Sequence, residues 1–204
     1  MNVGIIDYGG GNLRSVANAL RELGEHPRII ASPSEVADAT HLILPGQGAF
    51  GDCMERLESR GLLPFLKDWI NADRPYFGIC VGYQILFAHS EEAPGVQGLS
   101  LIPGTVRRFV DEPGLKIPHM GWNSARAQQG QTPLWTGLGD DPYFYFVHSY
   151  FPAPSDPGVV VAQTTYGTQS FAAAVERGRL FACQFHPEKS QDAGIRLIRN
   201  FLGI

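Results

Sequence analysis

The first half of the chain alternates short apolar runs with segments whose apolar residues recur at helical spacing. Val3 to Asp7 is an apolar run, read as a buried strand, and Gly9-Gly10-Gly11 then forces a turn. Asn12 is placed to cap a helix. Leu13, Val16, Ala17 and Leu20 follow at helical spacing, and Gly24 ends that helix. Pro27 to Ala31 and His41 to Leu44 predict a second and a third strand, and the helical patterns over 52–60 and 62–71 come next. Arg74-Pro75-Tyr76-Phe77 leads a fourth strand into Gly78-Ile79-Cys80, and Ile85-Leu86-Phe87 opens another helical pattern.

Beyond that point the pattern changes. Gly, Pro and β-branched residues become frequent, and strand patterns follow strand patterns: Thr105 to Phe109, Tyr143 to Val147, Val159 to Thr165, Ser170 to Glu176 and Leu180 to Phe185. A closing helix carries Ile195, Ile198 and Leu202 on one face. Strand–helix alternation predicts a parallel sheet, and strand after strand predicts antiparallel pairing. The expected fold is α/β, with an open, mostly parallel sheet flanked by helices and an antiparallel β extension, as a single domain over residues 1–204.

Composition narrows the class. At 204 residues, 44% hydrophobic and 18% charged, the chain can bury a substantial core. A net charge of −4 argues against nucleic acid or an anionic membrane as partner. The start of the chain lacks a basic region and a long apolar run, so no signal peptide is expected, and no stretch approaches transmembrane length. The three cysteines, Cys53, Cys80 and Cys183, are odd in number and without metal-ligand spacing. That usage fits a reducing compartment, with the cytoplasm as the expected location and no metal or other cofactor.

Candidate chemistry centres on Gly78-Ile79-Cys80-Val81-Gly82-Tyr83-Gln84. A Cys at a tight strand-to-helix turn has the form of a nucleophile elbow, with glycines on both sides removing the Cβ atoms that would crowd it. The turn lifts the sulfur above the sheet and places it at a helix N-terminus, where partial positive charge favours an anion. It also aims the Val81 N–H where an oxyanion would form. Taken alone, Cys80 also reads as a small buried apolar residue.

A second segment changes that balance. Leu180-Phe181-Ala182-Cys183-Gln184-Phe185-His186-Pro187-Glu188 is an apolar strand ending in His, Pro and Glu. In an extended segment residues i and i+2 share a side, so His186 and Glu188 can stack as base and orienter. With Cys80 they form a thiol version of the catalytic triad. The loop Pro45-Gly46-Gln47-Gly48-Ala49-Phe50-Gly51 follows a buried strand and can offer backbone N–H groups to an anion, or can be a connector. The glycines at 9–11 lack the Gly-x-Gly-x-x-Gly spacing of a dinucleotide cradle and read as a tight turn.

With both segments in view, the chain resembles the class I (triad-type) glutamine amidotransferases, which carry Gly-x-Cys-x-Gly-x-Gln and a late His-x-Glu. More narrowly, it is similar to the glutaminase subunits of imidazole glycerol phosphate synthases. That similarity rests on the stretch Asp7 to Val16, the loop Pro45 to Gly51, Pro118-His119-Met120-Gly121-Trp122-Asn123, Phe146 to Tyr150, and His186 to Ser190. Two positions depart from the family pattern. Gln47 stands where an apolar residue, often Val, is usual, and Tyr83 stands where Met is usual.

The resemblance implies that Cys80, His186 and Glu188 hydrolyse glutamine to glutamate and ammonia. It implies an oxyanion hole from the N–H groups of Val81 and Gln47, and substrate contacts from Gly48, Gln84, Glu92, Ser149 and Tyr150. It further implies a heterodimer with a (β/α)8-barrel cyclase subunit. That subunit would use the ammonia to form imidazole glycerol phosphate and aminoimidazole carboxamide ribonucleotide in histidine biosynthesis. Met120, Trp122 and Asn123 would lie on the docking surface. His119 and His148 read as neither metal ligands nor bases, and Cys53 and Cys183 as structural. Competing readings are an amidotransferase subunit of another synthase, a non-catalytic scaffold, and a cysteine peptidase or γ-glutamyl hydrolase.

Overall fold

A computed structural model of the chain describes residues 1–36, 38–128 and 132–204. Its thirteen strands are β1 (Val3–Ile6), β2 (Arg28–Ile30), β3 (His41–Leu44), β4 (Tyr76–Ile79), β5 (His89–Ser90), β6 (Gly104–Arg108), β7 (His119–Ser124), β8 (Arg126–Ala127), β9 (Tyr143–His148), β10 (Tyr150–Pro154), β11 (Val160–Tyr166), β12 (Gln169–Arg177) and β13 (Leu180–Cys183). The helices are α1 (Leu13–Glu22), α2 (Phe50–Ser59), α3 (Leu62–Asn71), α4 (Val81–Gln84) and α5 (Gln191–Leu202).

The main sheet has eight strands in the order β2-β1-β3-β4-β13-β12-β11-β8. Pairing is parallel from β2 through β13 and antiparallel from β13 through β8. The parallel strands β1, β4 and β13 are buried at every position, as strands covered on both faces must be. Helices α1, α2, α3 and α5 each bury one apolar stripe, for example Val16, Ala17, Ala19 and Leu20 of α1. Asn12 caps α1, its side chain accepting from the Ser15 N–H at 3.3 Å.

The pattern of the first half reads correctly strand by strand, but the second half is more divided than expected. Only β12, β11 and β8 extend the main sheet in antiparallel fashion. The sets β10-β6-β5 and β7-β9 form two further small sheets. Strands β5, β7, β8 and β10 are not among those the sequence predicts: β5 and β8 are two residues long, and Met120-Gly121-Trp122-Asn123 and Tyr150-Phe151-Pro152 mix Gly and Pro with polar residues.

The helix after Cys80 is also shorter than the apolar run at Ile85–Phe87 predicts. α4 is one turn long, and the carbonyls that would continue it are taken by another segment. Ile85 O accepts from Leu99 N at 2.7 Å, and Leu86 O accepts from Leu101 N at 2.8 Å and Ile102 N at 3.0 Å. Tertiary pairing overrides helical periodicity here. Among the described residues no helix is long and apolar enough to cross a membrane.

Candidate active site

Cys80 follows β4 with φ 55° and ψ −107°. Left-handed φ in a non-glycine residue costs about 1–3 kcal/mol, so the surroundings must hold it. The Cys80 N–H donates to Cys183 O at 2.8 Å, and Cys80 O accepts from Tyr83 N at 3.0 Å and Gln84 N at 3.1 Å. The flanking glycines are needed for close approach. A Cβ on Gly78 would stand 2.4 Å from Gly82 O, and one on Gly82 would stand 2.2 Å from Leu44 O. Both contacts are backbone, which cannot move aside as a side chain could. The elbow expected from sequence is therefore present, with Cys80 only 5% exposed.

His186 follows β13, the immediate neighbour of β4. This adjacency brings together two segments about a hundred residues apart in the chain. The stretch after His186 is not extended, as the sequence argument assumed. Pro187–Lys189 is a 3-10 turn with Pro at its start, since the fixed φ of Pro suits a turn better than a strand. The turn is tied down by Ser190, whose hydroxyl donates to His186 O at 2.6 Å and accepts from Tyr145 N at 3.0 Å. The two side chains meet all the same. His186 Nδ1 lies 2.8 Å from Glu188 Oε1, and both side chains are 1% exposed. A carboxylate oxygen accepts, so Nδ1 carries the proton and Nε2 is left for the thiol side. Nε2 is buried and has no hydrogen-bond partner among the described residues. Burial disfavours the imidazolium, but the Cys80 sulfur and Glu188 outweigh it and raise the His186 pKa to about 10.

Cys80 and His186 open on a cleft of about 330 Å³, whose walls include Gln47, Gly48, Val81, Gln84, Glu92, Ser149 and Tyr150. Every residue singled out as catalytic, oxyanion-binding or substrate-binding, except buried Glu188, thus lines one cleft. The Val81 N–H makes no hydrogen bond among the described residues. The Gln47 peptide is differently placed: its N–H donates to the Tyr8 hydroxyl at 3.4 Å, and the same hydroxyl donates to Gln47 O at 3.4 Å. Glu92 accepts from Phe50 N at 2.7 Å. It thereby satisfies the first turn of α2, whose N-cap Ala49 has no side chain able to do so.

Met120 and Trp122 are 62% and 46% exposed on β7. Asn123, grouped with them from the sequence, is turned inward. Its Nδ2 donates to Thr165 O at 2.9 Å and lies 3.3 Å from His119 Nε2, and its Oδ1 accepts from Ser124 N at 2.9 Å. Those bonds leave it little to offer a partner. Cys53 and Cys183 are buried free thiols; burial pushes Cys53 up to about 12 and raises Cys183 as well. Among the described residues no cluster of three or more His, Cys, Asp or Glu could hold a metal.

Pro118, Val147 and His148 also line the cleft without having been assigned to it from the sequence, and two further residues reach the site from behind it. Tyr8 lies in the stretch read as a βα turn. Gln184 is fully buried, and its Nε2 donates to Cys80 Sγ at 3.5 Å. A polar residue inside the apolar run Leu180–Phe185 was the available signal.

The residues 4–203 match the family model of the class-I glutamine amidotransferases, and the chain belongs to that family. It is similar to proteins called imidazole glycerol phosphate synthase subunit HisH. It is 48% identical over 202 residues to that subunit of Thermosynechococcus vestitus, covering 99% of this chain and 96% of the relative. To that of Aromatoleum aromaticum it is 48% identical over 210 residues, covering 98% and 97%. The fold is likewise that of a glutamine amidotransferase crystal structure with TM-score 0.78 at 21% identity, covering 100% of this chain and 98% of the other. It is also similar to a chain in the structure of PurLQS from Thermotoga maritima, with TM-score 0.76 at 19% identity, covering 99% and 97%.

Proposed function

We propose that residues 1–204 form one glutaminase domain that hydrolyses L-glutamine to glutamate and ammonia, with Cys80 as nucleophile, His186 as acid and base, and Glu188 as orienter. The observation that carries this reading is the meeting of Cys80 and the His186–Glu188 pair at the carboxyl ends of adjacent strands, over one cleft.

The Cys80 thiol gives its proton to His186 Nε2, the sulfur attacks the side-chain amide carbon, and the C=O electron pair moves to oxygen. The Val81 N–H lies beside that oxygen, and one such donor is worth about 2.7–4 kcal/mol. The imidazolium then gives its Nε2 proton to the amide nitrogen as the C–N bond breaks, releasing ammonia and leaving a thioester. Water attacks the thioester, with its proton taken by Nε2, and glutamate departs as the thiol is restored. The Gln47 N–H is the proposed second donor, available once it leaves the Tyr8 hydroxyl. Gly48, Gln84, Glu92, Ser149 and Tyr150 are the proposed holders of the amino-acid end, with the Glu92 carboxylate matched to the ammonium.

In this reading the ammonia passes to a cyclase subunit, a (β/α)8 barrel, which forms imidazole glycerol phosphate and aminoimidazole carboxamide ribonucleotide. The reaction belongs in the cytoplasm, where Cys80 stays reduced. Exposed Met120 and Trp122 support a docking surface on β7. The test is glutamine turnover by the chain alone and with the barrel cyclase and its nucleotide. Turnover that rises only with that cyclase is the expected result. Turnover indifferent to it, but responsive to another synthase, would move the chain to a different amidotransferase complex.

A further inference from the structure

Four buried polar side chains are connected between β7 and the thiol. His119 and His148 face each other in the β7–β9 ladder, at 2% and 6% exposure, and His119 Nδ1 lies 3.2 Å from His148 Nε2. His148 Nδ1 lies 2.8 Å from Tyr150 O. That carbonyl also accepts from Gln84 Nε2 at 3.0 Å, and the same Nε2 donates to Gln184 Oε1 at 3.1 Å. The line ends where Gln184 Nε2 meets Cys80 Sγ.

The direction of each bond follows from the ends. A carbonyl only accepts, so His148 must carry its proton on Nδ1, which makes its Nε2 an acceptor. His119 must then donate from Nδ1, and its own Nε2 accepts from Asn123. Burial lowers the two imidazoles to about 4 and about 3, so each holds a single proton at neutral pH and the pattern has one solution. The His119 ring is fixed between Phe146 at 4.8 Å and Tyr166 at 4.0 Å, both stacked.

We propose that His119 and His148 are positioning residues that fix the Gln84 amide, so that the cleft presents an acceptor and not a donor at that point. Both Nε2 hydrogens of Gln84 are used, one on Tyr150 O and one on Gln184. The remaining polar atom, Oε1, is what an incoming group meets, and it suits a donor such as an ammonium. Without the His148 proton on Tyr150 O, that carbonyl is held from one side only, and the Gln84 amide that donates to it loses its fixed place. Packing alone would not require imidazoles at these two positions, since apolar rings stack as well. A hydrogen-bonded pair of defined tautomers is required if the carbonyl is to be held. This inference rests on the reading of the cleft as a glutamine site.

The test compares three substitutions at one position, in the complex with the cyclase. Asn places a donor near the histidine Nδ1, and Gln places one near Nε2. His148→Asn should keep KM for glutamine within about threefold of the parent, whereas His148→Leu and His148→Gln should raise it about tenfold, the cost of one unmade buried bond. In all three, kcat should change less than KM. A KM unmoved in folded His148→Leu, or equal for Asn and Gln, would overturn the proposal and leave the pair as core. Should the substitutions prevent folding, nitrogen shifts of 15N-histidine-labelled protein decide. Both imidazoles should be neutral with the proton on Nδ1 from pH 6 to 8, and a proton on Nε2 of either would overturn it. An unsubstituted complex that does not turn over glutamine would instead defeat the glutaminase reading, and the tautomers would still be read.

Discussion

His186 and Glu188 form a fully enclosed pair, 2.8 Å from ring nitrogen to carboxylate oxygen with each side chain 1% exposed. The contact gives the imidazole one tautomer and one orientation. Its other nitrogen has no protein partner among the described residues, which suits an atom that must exchange a proton with sulfur and substrate.

Roles in that arrangement can be separated. Cys80→Ser should reduce glutamine turnover below about one per cent, because a hydroxyl fits the elbow but is a poor nucleophile near neutral pH. Its melting point should move by less than about 4 °C, the equivalent of ~1 kcal/mol in a chain of this size. His186→Ala should cost about 10²–10⁴-fold in kcat. Glu188→Gln should cost less, because the carboxylate orients a proton that the imidazole moves. Steady-state rates check the order; a Glu188 variant slower than the His186 variant would reverse the assignment.

The Gln47 peptide is held by Tyr8 through both its N–H and its carbonyl. For that N–H to serve an oxyanion, the peptide must leave Tyr8 and turn. Gly48 has φ +104°, and a Cβ there would meet nothing within 4 Å. An alanine would therefore be opposed by backbone conformation and not by collision. Gly48→Ala should lower kcat of the cyclase complex about tenfold while leaving KM within about threefold. The lone chain should be slow with or without the substitution. Equal rates for the parent chain alone and in complex would rule out a turned peptide as the control step.

Trp122 lies 46% exposed, with its ring edge-on to Tyr145 at 6.3 Å. An anchor of this kind carries binding energy out of proportion to its area. Trp122→Ala should weaken association with the cyclase by more than about 1 kcal/mol, measured by titration calorimetry, with little change in melting point. Unchanged association together with a lowered melting point would assign the ring to the fold instead.

Acid should destabilise the protein through His119 and His148. Burial lowers them to about 4 and about 3 in the folded chain, against about 6.5 when unfolded. As pH falls below 6.5 the unfolded chain takes up protons that the folded chain refuses, so stability is lost on acidification, by at most ~1.4 kcal/mol per pH unit for each ring. His186 does not share this slope. Its folded value of about 10 lies above the unfolded one, so its contribution is complete below 6.5 and is lost as pH rises through 10. Urea midpoints at pH 7 and pH 5 should differ more for the parent than for the double variant His119→Asn, His148→Asn. Equal differences would show that other groups govern the acid response.

The parallel half of the sheet was legible in the sequence because strands buried on both faces leave continuous apolar runs such as His41–Leu44, and because glycines end them. Cys80 and the His186–Glu188 pair were legible because their setting of glycine and proline has a chemical reason. The strand β7 was not, since its ladder is filled by Met, Gly, Trp and Asn and is decided by pairing with β9. The one-turn length of α4 was hidden too, because the competing donors at Leu99, Leu101 and Ile102 lie outside any local window. The inward amide of Asn123 and the role of Gln184 depend on partners 42 and 104 residues away, and no local pattern carries such distances.

The position of β13 bears on how the molecule is made. It is the last strand among the described residues, yet it lies fifth of eight in the main sheet, between β4 and β12. Until Leu180–Cys183 is in place, β4 and, once it has formed, β12 each present an unsatisfied edge, and the thiol after β4 has no imidazole beside it. Unpaired strand edges of this sort recruit chaperones or one another. Filling that slot joins the two halves of the sheet and seats His186 next to Cys80 in one event. A nascent chain therefore carries the sulfur, until His186 is added, without the means to use it.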